Sequence, residues 1–235
     1  MKLLAFETAT EACSVALYVG GQVHERFEIA PRRHAELSLP WAEALLAEAG
    51  LARSQLDGIA LGRGPGAFTG VRLAIAIAQG IALALDRPLI PVSTLQVLAL
   101  RAPAEATHVL SSIDARMGEV YVARQLRVEG QWQLQGEEVV CAPDAVELPD
   151  GGRWFGVGSG FGAAEGLLAT RLADRLDGVD AQALPRASDV LALAVPMFER
   201  GEVMAPERVE PAYLRNNVAL TLVEQQAARA AKQSV

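Results

Sequence analysis

Gly62-Arg63-Gly64-Pro65-Gly66-Ala67-Phe68-Thr69-Gly70 joins a short apolar strand, Gly58 to Leu61, to an apolar helix over roughly residues 71–85. Glycines here permit positive φ and the close approach of another group. Thr69 is placed to cap the helix and leave backbone N–H groups pointing outward, which makes a ready anion site. The run is not a P-loop, because Val71 and Arg72 stand where Lys and Ser or Thr would follow the last glycine. Gly64, Pro65, Gly66, Phe68, Thr69 and Gly70 therefore read either as a phosphate-facing loop or as a tight strand-to-helix turn. Both readings make a strand–loop–helix unit of an α/β fold.

The helix that follows is apolar nearly all round, broken by Arg72 and Gln79 and rich in Ala, with Gly80 inside it. Such a helix is covered on every side. In a small lobe that means either a central core helix or an exterior helix with one face against another protein, its small residues allowing close approach.

Upstream, Lys2 to Thr8 and Ser14 to Val19 are short apolar runs, Gly20-Gly21 supplies a tight turn, and Gln22 to Ile29 alternates. Val23, Phe27 and Ile29 fall on one face of that third strand and His24, Arg26 and Glu28 on the other, as in a half-buried strand. An antiparallel meander is expected, then a helix over 34–49 closed by Gly50, with Pro40 near its first turn. Downstream come a strand at Pro88 to Val92 and a helix at Ser93 to Arg101.

Composition shifts near Pro103, and strands return at His108 to Ile113, Glu119 to Arg127 and Trp132 to Val140, with Glu129-Gly130 turning between the last two. Trp154 to Val157 is a further strand. Gly158-Ser159-Gly160 leads into a helix over 161–176, and Ser188 caps a last helix to Glu199. The pattern of meander followed by alternating helices and strands thus occurs twice. The predicted architecture is two α/β lobes with mixed sheets flanked by helices: 1–103, then 104–215 with room for a late helix to pack back on the first lobe, then a polar tail, 216–235.

The chain has 235 residues, 51% hydrophobic and 21% charged, which excludes a disordered chain. Its formal charge of −7 argues against unaided tight binding of nucleic acid, though not against acting on it through a basic partner. Two cysteines, Cys13 and Cys141, exclude a disulfide scaffold. Glu7 and Glu11 break the first apolar run and no cationic segment precedes it, so no leader is expected. No uncharged run, Leu73 to Leu85 included, reaches the length of a membrane span. A soluble, cytoplasmic protein is expected.

Glu7, Thr8 and Thr10 at the first turn could hold a metal-bound phosphate or be turn residues making local hydrogen bonds. Asp114 and Arg116 occupy the matching turn of the second lobe, where they could equally pair with each other. Gly158 lies in a weak nucleotide-loop signal. His24, His34 and His108 form no metal-binding spacing, and neither cysteine has a nearby His or a CxxC partner. No catalytic or metal-binding residue is assigned.

Leu3-Leu4-Ala5-Phe6-Glu7-Thr8-Ala9-Thr10, Cys13-Ser14-Val15-Ala16-Leu17, Gly64 to Leu73, Pro91-Val92-Ser93-Thr94-Leu95, Asp114 to Tyr121 and Pro211-Ala212-Tyr213-Leu214-Arg215 occur in this order. Together they resemble the bacterial TsaB (YeaZ) family of the tRNA threonylcarbamoyladenosine pathway. The resemblance implies a two-lobed fold of the actin/Hsp70/sugar-kinase (ASKHA) type. It also implies a subunit without chemistry of its own, paired with a catalytic paralogue, TsaD, and joined by the ATPase TsaE. TsaD transfers threonylcarbamoyl to adenosine 37 of tRNAs reading codons that begin with A. Its His-x-x-x-His metal pair falls near Thr94 and Leu98 here, neither a strong ligand for iron or zinc. The chain departs from the family pattern at Glu7, where Asp is usual.

The resemblance further implies pairing through the helices near 34–49 and 71–85, with Leu37, Trp41, Leu45, Arg72, Leu73, Ala76, Ile77 and Gly80 at the surface. It implies a homodimer in isolation, a heterodimer with TsaD, and tRNA reached through TsaD. No cofactor is required, weak ATP or ADP binding aside. The competing reading is an ATP-dependent small-molecule kinase or ATPase of the same fold, with Glu7 and Asp114 as its carboxylates. A peptidase is disfavoured by the missing metal pair and the lack of a nucleophile–base arrangement.

Overall fold

The computed structural model describes residues 1–215, so the expected polar tail, 216–235, lies outside the described residues. Strands β1 (Lys2–Glu7), β2 (Ala12–Val19), β3 (Gln22–Ile29), β4 (Gly58–Gly62) and β5 (Leu89–Val92) form one sheet in the order β3-β2-β1-β4-β5. The meander is antiparallel, while β4 and β5 add parallel to β1. Side chains alternate across these strands. Leu4, Phe6, Val15, Leu17, Ile59 and Leu61 pack under α1 (His34–Glu48) and α2 (Phe68–Leu85). Leu3, Ala5, Ala16, Ala60, Ile90 and Val92 pack against α5 (Ala187–Glu199) and Val97 of α3 (Thr94–Ala99). Covering on both faces explains why β1 reads as an unbroken apolar run.

The second sheet contains β6 (His108–Arg116), β7 (Glu119–Val128), β8 (Gln131–Leu134), β9 (Val139–Cys141), β10 (Trp154–Val157) and β11 (Leu176–Asp180). Its order is β11-β10-β6-β7-β8, with β9 beside β7. Again the first two strands are antiparallel and two later ones add parallel. Read from the other edge, this is the topology of the first sheet. The duplicated, mixed-sheet, two-lobed ASKHA-type fold predicted from the sequence is the fold observed.

Several expected elements differ. Strand β3 is an edge strand, and Val23 and Ile29 near its two ends are 44% and 61% exposed, while the start of α5 covers the middle, where Arg186 meets Glu25 and Phe27. Trp132 to Val140 is two strands, β8 and β9, broken at Gly136 with φ +73°. The helix expected over 161–176 is one short α-helix, α4 (Leu167–Arg171), between 3₁₀ turns. Ala164, Glu165 and Gly166 hold positive φ there, and the chain leaves into β11 at Leu176.

Pro40 lies in the interior of α1 rather than its first turn, so the bond its N–H would have made to Glu36 is absent. Helix α2 starts at Phe68 with Ala67 as N-cap, so Thr69 sits inside the first turn and caps nothing. Arg186, not Ser188, is the N-cap of α5. Counted from Phe68, α2 has 18 residues and mean hydropathy 1.7, long and apolar enough to cross a membrane by those measures alone. Here it lies along β1 and β4.

Candidate functional site

The loop between β4 and α2 closes over the turn between β1 and β2. Ala67 N–H donates to the Ala9 carbonyl at 2.7 Å, and Thr8 Oγ1 donates to the Gly70 carbonyl at 2.8 Å. The loop glycines are required by this contact. A Cβ on Gly66 would stand 2.4 Å from the Ala9 oxygen, and one on Gly70 2.0 Å from the Thr8 oxygen. Gly64 has φ +89°, the left-handed region open to glycine, and its carbonyl accepts Thr94 N–H at 2.9 Å. Pro65 is buried beside it, while Phe68 and Thr69 are exposed.

Glu7 is 1% exposed beneath this loop. Its Oε1 accepts Ala9 N–H at 2.8 Å and its Oε2 accepts the Thr94 hydroxyl at 3.1 Å. Burial outweighs these hydrogen bonds and pushes the carboxyl up to about 7. Thr8 is fully buried, and Thr10 Oγ1 accepts Ala12 N–H at 3.3 Å. Thr8 thus meets the loop at Gly70, and Glu7 meets it through Thr94, whose hydroxyl also accepts Gly64 N–H at 3.2 Å, while the Thr10 hydroxyl is used within its own turn.

The second-lobe residues have partners of their own. Arg116 is strongly exposed at the β6–β7 turn and pairs with Asp114 at 2.8 Å. Gly158 has φ +103°, with space for a Cβ blocked by the Ser112 carbonyl at 2.3 Å and Leu98 Cδ2 at 2.4 Å. Thr94 and Leu98, one turn apart on α3, are both fully buried; Leu98 belongs to the second-lobe core.

The outer face of α2 is apolar. Ala76, Gly80, Leu83 and Ala84 are exposed, with Leu73 and Ile77 half-buried. Phe68 is 70% and Leu83 63% exposed. A Cβ on Gly80 would meet nothing within 4 Å, so the monomer does not need a glycine there. On α1, Leu37 and Trp41 are half-buried. Leu45 is 2% exposed and belongs to the core, not to a surface, because Ser38, Ala42, Leu45 and Leu46 face the sheet.

Arg72 stacks 3.3 Å from the Phe68 ring centroid and donates to the Tyr213 hydroxyl at 2.9 Å. Sequence reasoning assigned Tyr213 no role, although the Pro211–Arg215 motif contains it. Nor did it foresee Thr94 as the partner of Glu7.

The family profile described as TsaD: tRNA N6-adenosine threonylcarbamoyltransferase matches residues 20–221. An Escherichia coli protein named tRNA threonylcarbamoyladenosine biosynthesis protein TsaB is 45% identical over 230 residues, covering 93% of this chain and 96% of that protein. The Haemophilus influenzae protein of the same name is 39% identical, covering 93% and 95%. Among solved structures, YeaZ from Pseudomonas aeruginosa superposes with a TM-score of 0.84 at 47% identity, covering 91% of this chain and 99% of that one.

Proposed function

The chain belongs to the TsaB (YeaZ) family of tRNA threonylcarbamoyladenosine biosynthesis proteins, and we propose that within that pathway it is a docking subunit rather than the catalyst. The observation that carries this reading is the outward face of α2. Phe68 and Leu83 are large apolar side chains left 70% and 63% exposed on one helix. Burying each against a partner is worth about 2 kcal/mol. Gly80, between them, costs the helix roughly 1 kcal/mol relative to Ala. Since nothing in the monomer fills its Cβ position, close approach of a second backbone gives that cost a reason.

The partner in this reading is the catalytic subunit TsaD. In its absence a second copy of the chain takes the same face, giving a homodimer. TsaE joins the larger complex, and tRNA is held through TsaD, in keeping with the −7 charge of this chain. The lack of chemistry has support at Thr94 and Leu98. The Thr94 hydroxyl is committed to Glu7 and Leu98 to the core, and neither side chain offers iron or zinc a strong ligand. No cofactor is required, weak ATP or ADP binding aside, and the site of action is the cytoplasm.

The test is threonylcarbamoyl transfer to tRNA, supplied with the threonylcarbamoyl adenylate, using this chain alone, TsaD with TsaE, and all three. Transfer by the three together and by neither other arm supports the reading. Transfer by this chain alone, or transfer that ignores it, overturns it and favours a kinase-like or ATPase role for the interlobe surface.

A further inference from the structure

After α5, the described residues return along the α2 side of the first lobe and reach the second at Arg215. Met204 bridges to Leu89 on β5. Gln79 of α2 donates to the carbonyls of Pro206 and Val209 at 2.8 and 3.2 Å. Val209 is buried in the core beneath α2. Ala212 N–H donates to the Arg63 carbonyl at 2.9 Å, and Tyr213 takes its hydrogen bond from Arg72. Two residues later the chain is on the other lobe. Arg215 donates to the Ala115 carbonyl at 3.2 Å, pairs with Glu119, and lies 3.8 Å from Met117 Sδ.

The remaining side-chain hydrogen bonds to the second sheet and its loops from outside that lobe come, among the described residues, from α3. Ser93 at its cap donates to Glu138, and the Leu95 carbonyl accepts Gln125 Nε2 at 3.1 Å. Helix α3 puts Val97 in the first-lobe core and Leu95, Leu98 and Ala99 in the second, the position of a pivot. Val97 and α5 lie on the Leu3 face of the first sheet, whereas α2 and Val209 lie on the opposite, Leu4 face. The chain also crosses on the α5 side, from β11 into α5, with Ala183 in the second-lobe core. A second attachment across the sheet fixes the angle.

We propose that residues 205–215 are an interlobe strap. Its Arg215 end sets the angle between the lobes, and its Tyr213 end lies at the start of the α2 face. A protein docked on α2 therefore touches the segment that holds the second lobe, and docking and lobe angle are thermodynamically linked. This linkage rests on the reading of α2 as a docking face; the strap itself does not.

The test uses the full chain, spin-labelled at Glu43→Cys on α1 and Glu129→Cys at the β7–β8 turn in a Cys141→Ser background. Labelled protein is diluted with unlabelled protein so that only intramolecular distances are read. The parent gives one narrow distance distribution. Arg215→Ala broadens it about twofold. Glu119→Gln, which leaves the strap intact and acts from the other lobe, also broadens it and serves if Arg215→Ala does not fold. Arg116→Ala, on the same hairpin but paired with Asp114, leaves it narrow. A distribution unchanged in Arg215→Ala and Glu119→Gln, or broadened equally by Arg116→Ala, overturns the strap whatever docks on α2. Adding TsaD narrows the Arg215→Ala distribution if the linkage holds. A complex that forms and leaves the distribution broad overturns the linkage alone. A complex that does not form overturns the docking reading and the linkage with it, and leaves the strap result standing.

Discussion

Glu7 and Gly62 sit so close that a Cβ on Gly62 would stand 1.8 Å from Glu7 Oε2. The buried carboxylate fills the space a side chain would need, and the end of β4 is shaped around it. Gly62→Ala is expected to destabilise the chain by about 3 kcal/mol. Gly70→Ala, whose Cβ would lie 2.0 Å from the Thr8 carbonyl, is expected to cost as much or more, since backbone yields less than a side chain. Urea midpoints compared with the parent check both; an unchanged midpoint for Gly70→Ala would show that the loop does not clamp the 7–10 turn.

Burial raises the Glu7 carboxyl from 4.5 to about 7. A folded-state pKa above the unfolded one means stability fully present below about pH 4.5 and lost as pH rises through 7. The loss is no more than roughly 3 kcal/mol. Asp189, raised by burial to about 6, acts in the same direction, so the parent alone does not isolate Glu7. The informative quantity is the melting temperature of Glu7→Gln minus that of the parent. It should rise between pH 5 and pH 8, and a flat difference would refute the assignment.

Gly80 and Ala76 separate helix stability from association. Gly80→Ala should stabilise α2 by up to about 1 kcal/mol while weakening self-association through the added methyl. Ala76→Glu and Gly80→Asp place a charge on the apolar face and should yield monomers that no longer bind TsaD. Light scattering across a dilution series checks this. An unchanged dimer in both charged variants would sink the proposed face.

Glu25 anchors α5 to the meander. Its Oε1 accepts the Ser14 hydroxyl at 2.8 Å and Ser188 N–H at 3.0 Å, and its Oε2 accepts Arg186 at 3.2 Å. Glu25→Ala leaves these donors short of an acceptor and should cost about 2 kcal/mol. Glu25→Gln, which keeps an oxygen, should cost less. Equal urea midpoints for the two variants would contradict this account.

The first sheet was legible because its strands carry short apolar runs and β3 alternates, with glycine turns between them. Alternation marks a face without saying how far along the strand a neighbour covers it: Glu25 and Phe27 meet the start of α5, while Val23 and Ile29, near the strand ends, are exposed rather than half-buried. An apolar helix reads alike whether both its faces are covered or only one, and α2 has one face in the core and one exposed. Thr69 and Ser188 are good capping residues by type, but the caps fall at Ala67 and Arg186, and the Ser188 N–H is taken by Glu25 from another element. Strand β11, Leu-Asp-Gly-Val-Asp, has too little apolar character to announce itself. The loop glycines pointed to a close approach without saying of what; the neighbours are the Thr8 and Ala9 carbonyls. The strap has no periodicity, since its order comes from Gln79, Arg63, Arg72 and Glu119, all distant in sequence.

The central claim is that the α2 face makes this chain necessary to a catalyst it does not itself contain. Threonylcarbamoyl transfer with TsaD and TsaE, comparing the parent chain with Ala76→Glu, tests it most directly. The account predicts transfer with the parent and loss of at least tenfold with Ala76→Glu, although that variant melts as the parent monomer does, because the residue is exposed. Full transfer with Ala76→Glu would contradict it.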